Sequence, residues 1–298
     1  MVVCVLICTY NRGNLIDDTL RSLIECQEEK PDEIIVVNGG GANNCSQTLQ
    51  FWKNQFPALR EIETENVNLA TGRNLGLSYC GGDLILQTDD DAQPFPDWIK
   101  LMKEAHETYP DAGVIGGEVV DSSGKSWVVK VADAITFPFY SQITEVRSLP
   151  GVNSSYKREI IRKVGDYDVS MFRGEDVDYN WRVLQAGWKV LYIPGIKVSH
   201  HHRSSWKGLL NQHYMYGRAY YRVRRKWPLM YSVYPRSVST ARDYLKLAYF
   251  LISPFHNAIN RMKRIRGPFN KCTLFLPMIF VGYSWLWGYF TQMKKEQA

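Results

Sequence analysis

The sequence predicts an α/β domain with a largely parallel central sheet, followed by a helical, basic region that associates with a membrane. Three observations carry this. Strand-like and helix-like stretches alternate through the first two-thirds of the 298 residues. The strand-like stretches are apolar almost without interruption, the pattern of strands covered on both faces. The charge changes sign near residue 202: residues 1–202 hold 19 Lys and Arg against 28 Asp and Glu, a net of −9, whereas 203–298 hold 17 against 2, a net of +15. Two domains are therefore expected, 1–202 and 203–298. With 45% hydrophobic and 22% charged residues, the chain is neither disordered nor fibrous.

The elements follow in order. Strand signals fall at 1–8, 33–37, 59–63, 83–87 and 112–116, and helical patterns at 13–26, 46–55, 69–79 and 97–108. A further block predicts a strand over 148–153, a helix over 157–164, a helix opening near Gly174 and a strand over 188–193. The stretch 117–150 shows no clear period. Met1–Tyr10 lacks a basic leader and reads as a buried strand rather than a targeting segment. The six cysteines form no C-x-x-C pair, which argues against a thiolate metal site and for a reducing compartment.

In open α/β sheets ligands collect beyond the C-terminal ends of the strands. Polar clusters fall at those ends: Thr9-Tyr10-Asn11-Arg12, Asn38-Gly39-Gly40-Gly41 and Asp89-Asp90-Asp91. Three adjacent carboxylates repel one another unless solvated or neutralised, and hard divalent ions such as Mg²⁺ or Mn²⁺ take oxygen ligands. The plain alternative is a solvated acidic turn. Gly174-Glu175-Asp176-Val177-Asp178 opens a helix, where acids also favour the helix dipole. Asp178 and Arg182 stand at i,i+4 and suit a surface ion pair, which leaves Glu175 and Asp176 as candidates for a general base. His200-His201-His202 follows a strand and offers imidazoles to a metal if the chain returns to the aspartates. Arg73 lies in a predicted helix, either simply exposed or as a donor to a nucleotide.

TYNR at 9–12, IIVV before a polar turn at 34–41, NLATGRNLG at 68–76, the aspartate triplet at 89–91 and GEDVDYNWRVLQAG at 174–187 together resemble the family 2 glycosyltransferases over about residues 1–202. The resemblance implies a GT-A fold and metal-dependent, inverting transfer of one sugar from a nucleotide-sugar donor to a hydroxyl of a glycan or lipid-linked acceptor. It also implies roles. Thr9, Tyr10, Asn11, Arg12, the 38–41 turn, Arg73, Asp89 and Asp90 would hold the nucleotide sugar. Asp91 and Asp89 would ligate Mn²⁺ or Mg²⁺, with His200 and then His202 as further candidates. Asp176, beside Glu175, would be the base. One residue departs from the family pattern, which usually has an aspartate after IIVV: here it is Asn38, and an amide matches uracil or thymine better than guanine. A uridine or thymidine donor is therefore expected if Asn38, or Asn43 or Asn44 in a shifted register, faces the base. A nucleotidyltransferase and a non-catalytic nucleotide-sugar-binding scaffold are the alternatives.

In the last third, Cys272–Met293 is free of formal charge and long enough as a helix to cross a bilayer, but Pro277, Gly282 and Gly288 interrupt it. Tyr244–His256 is a shorter apolar stretch interrupted by Pro254, and basic residues 261–266 between the two suit anionic headgroups. Attachment through 244–293, in the plane of the membrane or as one span, is expected, with the catalytic domain on the cytoplasmic face. Packing on the catalytic domain is the plain alternative. No nucleic-acid-binding module is recognisable. Within 211–226, Arg218 reads either as a contact to acceptor or diphosphate or as part of a docking helix. A processive member of the family would show Q-x-x-R-W here; Gln212 is followed by His213, Tyr214 and Met215, so single-sugar transfer is expected.

Overall fold

A computed structural model of the protein describes residues 1–40, 44–65, 67–121, 124, 126–230, 240–262, 265 and 267–297. Gly41, Asn43, the Asn44 side chain, Asn66, Lys263, Arg264 and Arg266 lie outside the described residues, and with them part of the expected base-binding turn and of the basic run. The chain forms two units. One comprises Met1–Ser122 and Pro138–His201, the other Ser123–Phe137 and His202–Ala298.

The first unit is the expected α/β domain. Its strands are β1 (Val3–Thr9), β2 (Glu33–Asn38), β3 (Leu59–Glu63), β4 (Leu84–Asp89), β5 (Ala92–Pro94), β6 (Ala112–Asp121), β7 (Thr144–Glu145), β8 (Ser154–Lys157) and β9 (Lys189–His200). They form one sheet in the order β3-β2-β1-β4-β8-β6-β9-β5, with β7 paired to β9. β1, β2, β3 and β4 run parallel, as do β6 and β9, while β5, β7 and β8 pair antiparallel. The helices are α1 (Gly13–Ile24), α2 (Asn44–Gln55), α3 (Leu69–Tyr79), α4 (Trp98–Thr108), α6 (Arg158–Val164) and α7 (Glu175–Gln185).

Apolar strand residues explain the sheet. Cys4, Leu6, Ile35, Val37, Ile85 and Val114 are buried with Tyr156, Tyr179 and Val190 in one core; each large side chain withdrawn from water contributes about 1.5–3 kcal/mol. Helix α1 buries Ile16, Leu20 and Leu23 along one face. The Asn68 side chain accepts from Thr71 N–H at 2.9 Å and caps α3, a contact of about 1 kcal/mol.

Two expectations shift. Residues 148–153 are not a strand: Gly151–Asn153 is a 3₁₀ turn and the strand begins at Ser154. Ser154 and Ser155 are fully buried because their hydroxyls find backbone carbonyls, Gly151 O at 3.4 Å and Ile115 O at 3.0 Å. Strand β9 runs on to His200, well past residue 193.

In the second unit, α5 (Trp127–Ile135) joins α8 (Trp206–Lys226), α9 (Ala241–Arg261) and α10 (Pro268–Gln297). Val128, Val131 and Ala132 pack with Leu209, Leu274, Met278 and Val281. Helices α8 and α10 run parallel at a constant offset of 74 residues. Ser284 Oγ donates to Leu210 O at 2.8 Å, Arg218 Nε to Gln292 Oε1 at 2.9 Å, and Arg222 Nε to Glu296 Oε1 at 3.0 Å. The backbones nearly touch: a Cβ at Gly217 or Gly288 would collide with a carbonyl of the facing helix. Neither Pro254 nor Pro277 ends its helix. Among the described residues, α10 is the one helix long and apolar enough to cross a membrane. It buries one face and exposes Leu276, Phe280 and Trp287 on the other. An apolar groove of about 710 Å³ is lined by Trp206, Leu210, Pro277, Phe280, Tyr283, Ser284 and Trp287.

Candidate active site

Parallel register assembles the site. Thr9 pairs with Asn38, and Cys8 with Asp89, so the polar ends of β1, β2 and β4 lie side by side at one edge of the sheet. The chain then turns into β5, which pairs antiparallel with the end of β9: Ala92 stands opposite His200, and His201 N–H donates to Asp91 O at 3.1 Å. This pairing carries His200 back to the aspartates across more than one hundred residues of sequence.

The result is a compact set of donors. Asp89, Asp91 and His200 each present a ligand atom, all within 4.8 Å of one another. Asp91 Oδ1 lies 3.2 Å from His200 Nε2. Two carboxylates and an imidazole fit Mg²⁺ or Mn²⁺. His202 is not in this set; its Nε2 lies 3.7 Å from Asp133 Oδ1 and its ring 5.7 Å from that of Phe137.

Asp90 points inward. Thr9 Oγ1 donates to its Oδ2 at 2.7 Å, and Arg12 Nη1 reaches Asp90 Oδ1 at 3.0 Å and Asp91 Oδ2 at 2.8 Å. Burial raises the Asp90 carboxyl to about 6, although Arg12 and Thr9 pull it down. Burial and the adjacent Asp91 charge also raise Asp89 above the usual carboxylate range. In the same loop Asn11 has φ 54°, a left-handed conformation that asparagine tolerates, and Tyr10 is exposed.

Asn38 is fully buried and bonded within the protein. Its Nδ2 donates to Glu61 Oε1 at 2.9 Å and its Oδ1 accepts from Gly40 N–H at 3.1 Å. Glu61 also receives Lys53 Nζ at 2.9 Å. The carboxylate beside this strand end thus comes from β3, one strand over.

Helix α7 brings the second acidic motif. Gly174, at φ +80°, makes the left-handed turn that starts it. Asp178 pairs with Arg182 at 3.1 Å. Glu175 is buried, and Arg73 Nη1 donates to its Oε1 at 2.7 Å, while Arg73 Nη2 lies 3.8 Å from Asp89 Oδ1. Burial raises Glu175 to about 7 despite Arg73. Asp176 accepts from Gly151 N–H at 3.2 Å and from Val177 N–H at 2.8 Å. The contributions of Gly151 and Glu61 are not marked by any local pattern in the sequence, because their partners come from distant segments.

The sequence profile of glycosyl transferase family 2 matches residues 4–165, more than half of the chain. The protein is a member of glycosyl transferase family 2. The nucleotidyltransferase and scaffold alternatives give way to a glycosyltransferase. Among curated relatives, the glucosyl-dolichyl phosphate glucuronosyltransferase of Haloferax volcanii is 24% identical over an alignment covering 100% of this chain and 99% of that protein. The poly-β-1,6-N-acetyl-D-glucosamine synthase of Staphylococcus aureus is 26% identical over 63% of this chain and 47% of its own. A mannosyltransferase from Pyrobaculum calidifontis, solved in complex with GDP-Man and Mn²⁺, superposes with a TM-score of 0.68 at 16% identity, covering 99% of this chain and 88% of that one. That likeness establishes the GT-A fold.

Proposed function

We propose that this glycosyltransferase is a metal-dependent, inverting enzyme that moves one sugar from a nucleotide-sugar donor to a hydroxyl of a lipid-linked acceptor at the cytoplasmic face of a membrane. The observation that carries this reading is the convergence of Asp89, Asp91 and His200, two oxygens and a nitrogen, at the C-terminal edge of the sheet. Asp89, Asp91 and His200 would hold Mn²⁺ or Mg²⁺, which would supply positive charge to a leaving diphosphate. Thr9 and Arg12 fix Asp90, and the Tyr10–Asn11 loop offers the open edge at which the nucleotide docks. Asp176 accepts the proton of the acceptor hydroxyl, whose oxygen attacks the anomeric carbon opposite the leaving nucleoside diphosphate. One displacement inverts that carbon without an enzyme nucleophile.

The lipid side of the reading rests on three observations. One relative that matches over the whole chain is named for glucosyl-dolichyl phosphate. Helix α10 passes the test of length and apolarity for a membrane span. The exposed apolar residues of α9 and α10, Leu245, Ile252, Phe255, Leu276, Phe280 and Trp287, suit a bilayer surface. With Asn38 engaged by Glu61 and Gly40, its amide no longer favours one base by itself, so UDP-, dTDP- and GDP-sugars all enter the test.

The full chain in phosphatidylglycerol-containing vesicles, given those donors, Mn²⁺ and a glucosylated polyprenyl phosphate, is expected to release a nucleoside diphosphate from one donor class and extend the lipid. Release of pyrophosphate, or no turnover with any donor on this or a soluble oligosaccharide acceptor, would overturn the proposal.

A further inference from the structure

The proposed reaction needs two acidic centres held in fixed relation: the metal-binding end of β4, and the first turn of α7 with the base. Backbone pairing accounts for the first centre but not for the link to the second. The two motifs lie more than eighty residues apart, and no strand pairing joins Asp89 to Glu175. The link is made by helix α3. Arg73 is 5% exposed. Its Nη1 donates to Glu175 Oε1 at 2.7 Å, its Nη2 faces Asp89 Oδ1 at 3.8 Å, and its guanidinium lies over the Tyr167 ring at 5.6 Å.

The space around the guanidinium is fitted. A Cβ at Gly151 would collide with it, and the N–H of Gly151 donates to Asp176 Oδ2 at 3.2 Å. Gly151 therefore contacts the cation on one side and the base on the other. The next residue of α3 completes the grip. Asn74 Nδ2 donates to Tyr167 O at 2.9 Å, and Tyr167 N–H donates back to Asn74 Oδ1 at 2.8 Å. The Tyr167 hydroxyl returns to β4 by donating to Gln87 Oε1 at 3.1 Å.

We propose that Arg73 is a positioning residue, not a nucleotide ligand: a buried cation that ties the metal-binding carboxylate Asp89 to Glu175, and so holds the first turn of α7 with Asp176 in register. The inference rests on the functional reading above for the roles of Asp89 and Asp176. Burying Arg73 with the Glu175 carboxylate costs several kcal/mol before their attraction repays it, and an apolar pair of the same size would be about as stable or more so. The arrangement is therefore better explained by function than by stability. One guanidinium edge is taken by Glu175 and another faces Asp89, with Gly151 and Tyr167 against the group, so little of it is left for a base.

The test uses the full chain with Arg73→Lys, Arg73→Met, Glu175→Gln, the Arg73→Met/Glu175→Gln double variant and Gly151→Ala. Nucleotide–Mn²⁺ binding is measured by calorimetry with whichever of UDP, dTDP and GDP binds wild type most tightly, donor kinetics by nucleoside diphosphate release, and folding by melting temperature. Arg73→Met and Gly151→Ala are expected to lower kcat by about tenfold or more with donor KM and nucleotide–Mn²⁺ affinity within about threefold, and Arg73→Lys to lie between them and wild type. The double variant should melt above Arg73→Met, because it removes the carboxylate left unpaired, and its kcat should be no worse than that of Arg73→Met. If Arg73→Met fails to fold, Arg73→Lys and Gly151→Ala carry the kinetic comparison. A loss of nucleotide–Mn²⁺ affinity of tenfold or more at unchanged kcat would overturn the proposal in favour of a nucleotide ligand, and additive losses in the cycle would overturn the link to Glu175. Full turnover in Asp176→Asn would instead remove the base assignment, leaving the Arg73–Glu175 coupling to be judged by the cycle.

Discussion

In the α/β unit the acids Asp89, Asp90, Asp91 and Glu175 gather near one end of the sheet and meet cations or imidazole from distant segments. In the helical unit the excess of basic residues stays largely at the surface, and one acid, Glu296, receives both Arg222 and Arg225. Glycines make a parallel contrast. Gly151 leaves room for a guanidinium within the site, whereas Gly217 and Gly288 let two helix backbones touch. Close packing in the first region thus holds charged groups against one another; in the second it joins two helices, one of which exposes Leu276, Phe280 and Trp287. The same devices serve different ends, and substitutions in each region should fail in different ways.

The sharpest break is expected in the first region. Asp176→Asn keeps the shape and removes the proposed proton acceptor, and turnover should fall about 10²–10⁴-fold while nucleotide–Mn²⁺ binding stays within about threefold. Steady-state kinetics beside calorimetry reads both. In the second region Gly288→Leu forces a side chain into the Tyr214 carbonyl, and a stability loss of about 1–3 kcal/mol or more follows from overpacking. Chemical denaturation measures it, and nucleotide affinity should be unaffected.

The first region also carries a pH effect. Glu175 has its folded-state carboxyl raised from 4.5 to about 7, chiefly by burial. A raised carboxyl binds its proton more tightly when folded, so its contribution is fully present below about 4.5 and is lost as pH rises through about 7. The metal-free protein should lose up to about 3 kcal/mol between pH 4.5 and 7.5 from this group, and Glu175→Gln should flatten that slope in a pH series of melting curves. The smallest effect is expected at the surface of the helical unit. Glu296→Gln breaks pairs with Arg222 and with the exposed Arg225, and costs about 0–1 kcal/mol.

Legibility differed between the regions for physical reasons. Strands β1 and β2 and the first half of β4 are apolar, so their positions and the polar residues at their ends were readable in sequence. The α3 and α4 patterns at 69–79 and 97–108 match the helices to within one residue. The start of β8 was misplaced because its buried serines satisfy themselves on backbone carbonyls, which hides the apolar signal. Helix α5 arose from a stretch with no clear period and folds with the C-terminal helices. Within the site, Asp89, Asp91 and His200 were named from motifs, but their convergence needed the β5–β9 pairing. The Arg73–Glu175 bond joins residues 102 apart and had no local sign. The engagement of Asn38 by Glu61 was equally hidden, because it depends on the register of β2 and β3.

The central claim is a metal-dependent nucleotide site built on Asp89, Asp91 and His200. Calorimetric titration of UDP, dTDP and GDP, with and without Mn²⁺, into wild type, Asp91→Ala and His200→Ala tests it most directly. One nucleotide should bind wild type only with Mn²⁺, and both variants should lose that binding by about tenfold or more. Equal binding without metal, or unchanged binding in both variants, would contradict the account.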